Sequence, residues 1–146
     1  DSPYSWQRIV KDSSKIPWRV RPKEIVWDGD FDKPSRRGLK HLRDLLSVED
    51  QAAFNESRST NGAMFHNACA YKMSLNVEGW SYAMRLKNIM LCGSVPLWYM
   101  PNPESRYEEY WVAALIENVH YIGIRGSDAG LAREDLKAAL KLKDAE

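Results

Sequence analysis

Residues 76–94 read Asn-Val-Glu-Gly-Trp-Ser-Tyr-Ala-Met-Arg-Leu-Lys-Asn-Ile-Met-Leu-Cys-Gly-Ser and carry the strongest structural signal in the chain. A strand pattern over residues 72–77 ends just before Gly79, and a run with helical period follows over residues 81–92. A helix that begins directly after a strand presents free backbone N–H groups and the positive end of its dipole. The stretch therefore indicates an anion-binding turn, although many strand–helix junctions are only connections.

Five residues of this junction are the candidate ligand contacts. Gly79 lets the backbone approach a ligand closely, and Ser81 could cap the helix or donate to an anion. Arg85 lies one turn beyond Ser81 on the same face and could form charge-assisted hydrogen bonds with that anion. The rings of Trp80 and Tyr82 could pack on a ligand or belong to the core.

Composition bounds the class of protein. A chain of 146 residues with 44% hydrophobic and 28% charged residues suits a single globular domain. The formal net charge of +1 gives no general attraction to nucleic acid, so we expect no nucleic-acid partner. No apolar run reaches the roughly 20 residues of a membrane-spanning helix, and the start of the chain does not resemble a signal peptide.

The two cysteines, Cys69 and Cys92, leave the redox state open. They could form a disulfide, or Cys92 could be a small buried residue at the end of an apolar helix stripe. With three scattered histidines they are too few for a metal site, so we expect no metal. The triplet Asn55-Glu56-Ser57 is a glycosylation sequon within a polar stretch, residues 47–68, that we interpret as irregular.

Strands alternate with helices from residue 24 onward. Predicted strands cover residues 24–27, 72–77, 94–99 and 119–124, and predicted helices cover residues 3–11, 34–46, 81–92, 105–117 and 131–142. The pattern predicts an α/β fold, a Rossmann-like parallel sheet with helices on both faces. In such folds the ligand lies at the carboxyl ends of the strands, where Gly79 and Ser81 are expected.

Five short strings, grouped in three regions, fall in a recognisable order along the chain. The string over residues 78–87 is Glu-Gly-Trp-Ser-Tyr-x-x-Arg-Leu-Lys; Ile-Pro-Trp at residues 16–18 and Ile-Val-Trp-x-Gly at residues 25–29 precede it. Tyr-Glu-Glu-Tyr at residues 107–110 and Val-His-Tyr-Ile at residues 119–122 follow. Together they resemble the glycosyltransferase family that contains the protein O-glucosyltransferases and the capsule-associated xylosyltransferase-like proteins.

The resemblance implies a fold arrangement and a function. Family members have two Rossmann-like halves in a GT-B-like arrangement and use nucleotide sugars without a metal cofactor. This chain resembles the C-terminal half, so residues 1–22 are expected to form a helix and connection, and residues 23–146 the donor-binding half-domain. A UDP-sugar is the expected donor, held at Gly79, Trp80, Ser81, Tyr82 and Arg85.

The resemblance also implies the surroundings of the chain. It implies a glycan or glycoprotein acceptor, the lumen of the endoplasmic reticulum or Golgi, and an N-terminal half that carries the catalytic base. No catalytic residue is therefore assigned in this chain, which we expect to be inactive alone.

One position departs from the family pattern. Asp28 stands where the family has an arginine, and an acid there would repel donor phosphates unless Arg36 or Arg37 compensates. The departure favours an alternative, in which the chain is a non-catalytic remnant or pseudoenzyme that acts as a binding module. A structural α/β domain without a ligand is a third interpretation.

Overall fold

The structure, a computed structural model, describes residues 5–28, 36–48, 54–57, 69–78, 85–102 and 108–142; at residue 28 and over residues 54–57 it describes the backbone. Within these ranges the chain forms a sheet of five strands, all parallel, with helices packed on both faces. The predicted α/β fold with a parallel sheet is confirmed.

The elements are numbered in chain order. The strands are β1 (Ile25–Asp28), β2 (Phe54–Ser57), β3 (Met73–Val77), β4 (Val95–Met100) and β5 (Ile122–Arg125). The helices are α1 (Trp6–Ser13), α2 (Arg37–Leu45), α3 (Arg85–Leu91) and α4 (Ala129–Leu140), and two short 3-10 helices cover Trp18–Val20 and Tyr110–Ala114.

The strand order across the sheet is β2-β1-β3-β4-β5, which contains one reversal of direction. From β1 the chain moves outward to β2, returns past β1 to β3, and then continues through β4 to β5. In doubly wound folds a crevice opens at such a reversal, outside the carboxyl ends of the two strands that flank it. Here those strands are β1 and β3.

The larger core lies on the face of the sheet that α2 and α4 cover. Because side chains alternate along a strand, Leu97 and Tyr99 of β4 point into this core while Trp98 points to the opposite face. The helices contribute apolar side chains at helical spacing: Leu39, Leu42 and Leu46 at the α2 end, and Ala132, Leu136 and Ala139 on α4.

α3 covers the opposite face of the sheet. Leu86 of α3 packs with Trp98, Val112 and Tyr121, and the rings of Trp98 and Tyr121 meet edge to face with centroids 5.2 Å apart. α1 packs against α3.

The division of the chain into a helix and connection over residues 1–22 and a half-domain over residues 23–146 stays a prediction.

A disulfide joins Cys69 to Cys92, whose Cα atoms are 5.0 Å apart. Both cysteines are buried beside Ile9 of α1. The bond ties the segment that leads into β3 to the residue that follows α3. Of the two states that the sequence left open, the structure has the disulfide.

Three predicted elements differ from the structure. The stretch interpreted as irregular contains β2, which includes the sequon and is held by backbone pairing with β1. The helix predicted over residues 105–117 is wrong in its described part, because only Tyr110–Ala114 is helical and the residues on either side are extended. β5 starts at Ile122 rather than at residue 119, because residues 118–120 form a turn in which Asn118 has a φ of 63°.

In the ranges given above, no helix is both long and apolar enough to cross a membrane.

Candidate functional site

The parallel strands direct their carboxyl ends toward one edge of the sheet, which is the candidate site. β1 ends there at Asp28, β3 at Val77, β4 at Met100 and β5 at Arg125. α2 and α4 follow β1 and β5, so their N-termini lie toward this edge and direct their dipoles to it. An anionic ligand is favoured at an edge of this kind.

Arg36 bridges the crevice between β1 and β3. It is the residue before α2 and is only 8% exposed. Its Nε donates a hydrogen bond to the carbonyl oxygen of Glu78, 3.1 Å away, and its Cζ lies 5.8 Å from the ring centre of Trp27. A guanidinium over a tryptophan face is stabilised by the ring quadrupole. The crevice therefore contains a buried positive charge.

The sequence had placed Arg36 and Arg37 together as possible substitutes for the family's arginine. The structure separates them, because Arg36 is buried against Trp27 while Arg37 is exposed on α2. Arg36 is thus the member of the pair that the fold brings to the crevice.

Asn76 places a buried amide beside the end of β3. The residue is 2% exposed and pairs in register with Trp98 of β4. Its Oδ1 accepts no hydrogen bond from any described residue. An unsatisfied buried acceptor costs about 1–3 kcal/mol, so the position is unfavourable for packing alone. Asn76 is a further candidate contact, which the periodicity of the strand did not single out.

Arg85 is the predicted contact that the structure describes. It is half-buried and is the first described residue of α3, on the connection that leaves β3. Two residues further on, the Lys87 Nζ lies 3.6 Å from the Glu109 Oε1, so α3 is linked by an ion pair to the segment before Val112. The other four predicted contacts lie outside the described residues: Gly79, Trp80, Ser81 and Tyr82.

The β5–α4 connection is held by charged hydrogen bonds. The guanidinium of Arg125 contacts both carboxylate oxygens of Asp135, at 2.7 and 2.9 Å, and the Arg125 backbone N–H donates to the same carboxylate at 2.9 Å. These hydrogen bonds hold the pKa of Asp135 below its ordinary value and raise the pKa of Arg125. Asp128 caps α4 by accepting from the backbone N–H of Leu131 at 2.9 Å.

Within the part of the chain that the structure describes, no three His, Cys, Asp or Glu side chains converge in a way that could hold a metal. Independence of metals stays a prediction.

Sequence reasoning missed the bond between Arg36 and Glu78. The two residues are 42 positions apart, and no local pattern connects a residue before one helix to a carbonyl after a strand. The available signal was the position of Arg36: it stands directly before a helix with an apolar stripe, and packing of that stripe does not require an arginine there. That signal is weak, because most charged residues at helix ends are solvated.

Comparison with known protein families classifies the chain. The model of the family described as "Glycosyl transferase family 90" matches residues 3–146, and the chain belongs to that family. Membership implies glycosyl transfer, with a sugar donor and an acceptor. No curated protein matches the chain. The resemblance to a glycosyltransferase family is confirmed at this level, while the subgroup stays a prediction.

Proposed function

We propose that this chain is the donor-binding, C-terminal half of a metal-independent glycosyltransferase with a GT-B-like arrangement, whose donor is a UDP-sugar. The family match supports transfer of a sugar. The string over residues 78–87 supports the finer assignment, because it is similar to the donor-site signature of the protein O-glucosyltransferases and capsule-associated xylosyltransferase-like proteins. That string begins at the residue after β3, at the crevice edge.

The observation that carries the proposal is the place of Arg85 in the fold. It begins the described part of the helix that follows β3, and β3 borders the crevice. When a sugar leaves a nucleotide, negative charge develops on the departing diphosphate. A guanidinium can donate to two phosphate oxygens at once, and Arg85 with Ser81 would stabilise this charge in place of a divalent ion.

The disulfide supports a location in the lumen of the endoplasmic reticulum or Golgi. Bonds such as Cys69–Cys92 form and persist in oxidising compartments and are rare in the cytosol. A glycan or glycoprotein acceptor and an N-terminal half-domain that supplies the catalytic base complete the proposal. No residue of this chain is assigned as catalytic.

A second candidate function is a binding module without transfer, such as a remnant or pseudoenzyme. It is favoured by Asp28, which ends β1 at the crevice where the family has an arginine. The two candidates agree on nucleotide binding. They differ when the chain is joined to its N-terminal half, because only the enzyme then transfers sugar, whereas the chain alone is expected to show no transfer on either reading.

Calorimetric titration with uridine 5′-diphosphate tests the donor site. Arg85→Lys keeps the charge but loses the planar fork, so we expect UDP affinity to fall at least tenfold, about 1.4 kcal/mol, with little change in Tm. Arg133→Lys is the matched control, because Arg133 is exposed on α4. A chelator should leave binding unchanged. Equal UDP affinity in the Arg85→Lys variant and the unmodified chain would contradict the donor-site assignment.

A further inference from the structure

We propose that Asn76 is a specificity-determining contact of the donor site: its side-chain oxygen, Oδ1, accepts a hydrogen bond from a hydroxyl group of the nucleotide sugar, on the ribose or on the transferred sugar. The inference rests on the proposed function. It deepens that function by naming a residue outside the string over residues 78–87 and the chemical group that this residue recognises.

The alternation of β3 fixes the face on which Asn76 lies. The odd-numbered residues of β3 belong to the larger core, so Asn76 points to the opposite face of the sheet, which α3 covers. Its register partner on β4 is Trp98, which packs on that face with Leu86 of α3. The amide of Asn76 therefore lies beside the smaller core, among apolar neighbours in the sheet.

The two strands that flank the crevice stop pairing before the level of Asn76. Their described ladder ends with the pair Val26 and Ser74, although β1 and β3 both continue beyond it. The ladder between β3 and β4, in contrast, runs the whole length of β3. Asn76 is thus the last polar side chain of β3, at the point where a doubly wound sheet opens to its ligand.

The side-chain oxygen of Asn76 lacks a partner among the described residues. The residue is 2% exposed, and its Oδ1 is buried without a hydrogen bond. A buried acceptor in this state destabilises the fold, so packing alone disfavours an asparagine here. Departures from packing rules of this kind are expected where a residue serves binding. A donor group on a ligand would offset the cost.

The chemistry of a carbonyl oxygen limits which part of a nucleotide sugar it can bind. Phosphate oxygens are acceptors, so Oδ1 cannot form a hydrogen bond with the diphosphate. The ribose and the transferred sugar both carry hydroxyl groups, which can donate. A buried acceptor that binds a hydroxyl rejects an analogue without it, because the acceptor is then left unpaired. Asn76 should therefore discriminate against donors that lack this hydroxyl.

The first test is calorimetric titration of Asn76→Leu with UDP, UDP-glucose and UDP-xylose. Leucine has the same branched shape without the polar atoms, so we expect Tm to rise while affinity falls by roughly tenfold or more. A loss with all three ligands places the hydroxyl on the ribose, and a loss with the two UDP-sugars alone places it on the transferred sugar.

Ser74→Ala is the matched control. Ser74 is 3% exposed and lies on the same face of β3, two residues earlier, where β1 and β3 still pair. Because it lies before the crevice opens, Ser74→Ala should leave the affinity for all three ligands unchanged. An equal loss of affinity in Ser74→Ala and Asn76→Leu would mean that binding responds to any change on this face, and would overturn the inference.

The analogue 2′,3′-dideoxy-UDP separates a ribose hydroxyl from the N–H of the base. If Oδ1 binds the ribose, the unmodified chain should bind UDP more tightly than the analogue by roughly tenfold or more, and Asn76→Leu should bind both alike. If Asn76→Leu loses affinity for UDP but keeps the full preference for UDP over the analogue, Asn76 contacts the base and the inference is wrong.

The outcomes also separate the inference from the proposed function. If the unmodified chain binds none of the three ligands, the proposed function fails and the inference fails with it. If the unmodified chain binds them and Asn76→Leu binds all of them equally well, the inference alone is overturned; a lower Tm in that case would show that the amide serves folding. Should Asn76→Leu not fold because of its larger volume, Asn76→Ala supplies the same comparison of affinities.

Discussion

The hydroxyl of Tyr99 donates a hydrogen bond to the carbonyl oxygen of Gly126, 3.3 Å away, and so joins β4 to the turn between β5 and α4. Tyr99 is 2% exposed, and its burial raises the pKa of the phenol. A Cβ on Gly126 would lie 2.6 Å from the Tyr99 Cζ, and a Cβ on Gly38 would lie 2.8 Å from its Oη. The tyrosine fits at the carboxyl edge because both neighbours lack a side chain.

Alanine at either glycine should therefore destabilise the protein. Gly38 lies within α2, where alanine ordinarily improves helix stability, yet we expect Gly38→Ala to lower the free energy of unfolding by about 1–3 kcal/mol through overpacking. Gly126→Ala should have an effect of the same order. Urea unfolding monitored by tryptophan fluorescence measures both.

Removing the Tyr99 hydroxyl should distinguish Gly38 from Gly126, because only Gly38 faces the hydroxyl oxygen as its nearest atom. In a Tyr99→Phe background the Oη is gone, so Gly38→Ala should lose most of its effect. Gly126→Ala should keep its effect, because the ring atoms Cζ and Cε2 remain at 2.6 and 2.7 Å. A Gly38→Ala variant that is more stable than the unmodified chain would show that helix propensity outweighs the contact.

The disulfide should make a large contribution to stability. Cys69 and Cys92 are 23 positions apart, and closing a loop of that length removes about 3 kcal/mol of chain entropy from the unfolded state. Reduction should lower Tm in the unmodified chain and leave Tm unchanged in a Cys69→Ala, Cys92→Ala double variant. A reductant effect of equal size in both proteins would contradict this account.

The ion pair between Arg125 and Asp135 should make stability depend on pH. The pKa of Asp135 is lowered in the folded protein, so ionised Asp135 contributes stability that is present above its unfolded pKa of about 3.8 and is lost as pH falls through the folded pKa. Arg125→Gln should thus be less stable than the unmodified chain at pH 7. The difference should shrink as the pH falls below about 4.

Urea unfolding across this pH range measures the effect, with Asp135→Asn as the control. That variant cannot titrate at position 135, so Arg125→Gln should change its stability little at any pH. A stability difference between Arg125→Gln and the unmodified chain that stays constant down to pH 2 would mean that the carboxylate is not the group involved.

The sequence predicted secondary structure best where the period of the apolar residues matches the face that the fold buries. β3, α3 and β4 follow one another with clear changes of period, and each was predicted within a few residues for its described part. β2 was missed because Phe-Asn-Glu-Ser shows no run of apolar residues, and its backbone pairing with β1 cannot be read from local composition. The helix predicted over residues 105–117 had apolar residues but no period that required a full helix.

The sequence predicted where the candidate site lies in the fold, but not the side-chain contacts within it. Parallel topology puts the ends of β1 and β3 at one edge, so the edge follows from the alternation of elements. Two features of the site depend on long-range packing. One is the hydrogen bond from Arg36 to the Glu78 carbonyl, and the other is the packing of Tyr99 against Gly38 and Gly126. Such contacts join residues that no sequence period relates.

Asp28 provides the last prediction, because it ends β1 at the position where the family has an arginine. It ends β1 at the crevice, where the proposed diphosphate would carry negative charge. Replacing the acid by the family's residue, Asp28→Arg, should tighten UDP binding by on the order of 1 kcal/mol, roughly fivefold, and the gain should decrease with added salt. Asp28→Asn should give an intermediate gain, because it removes the repulsion without adding an attraction.

The control for this prediction is Asp44→Arg, which changes the net charge by the same amount at an exposed position near the far end of α2. General attraction of UDP to a more basic chain would raise affinity in both variants, whereas a local effect raises it only in Asp28→Arg. Unchanged or weaker UDP binding in Asp28→Arg would mean that the end of β1 does not face the phosphates. The acid at position 28 would then give no support to the binding-module alternative.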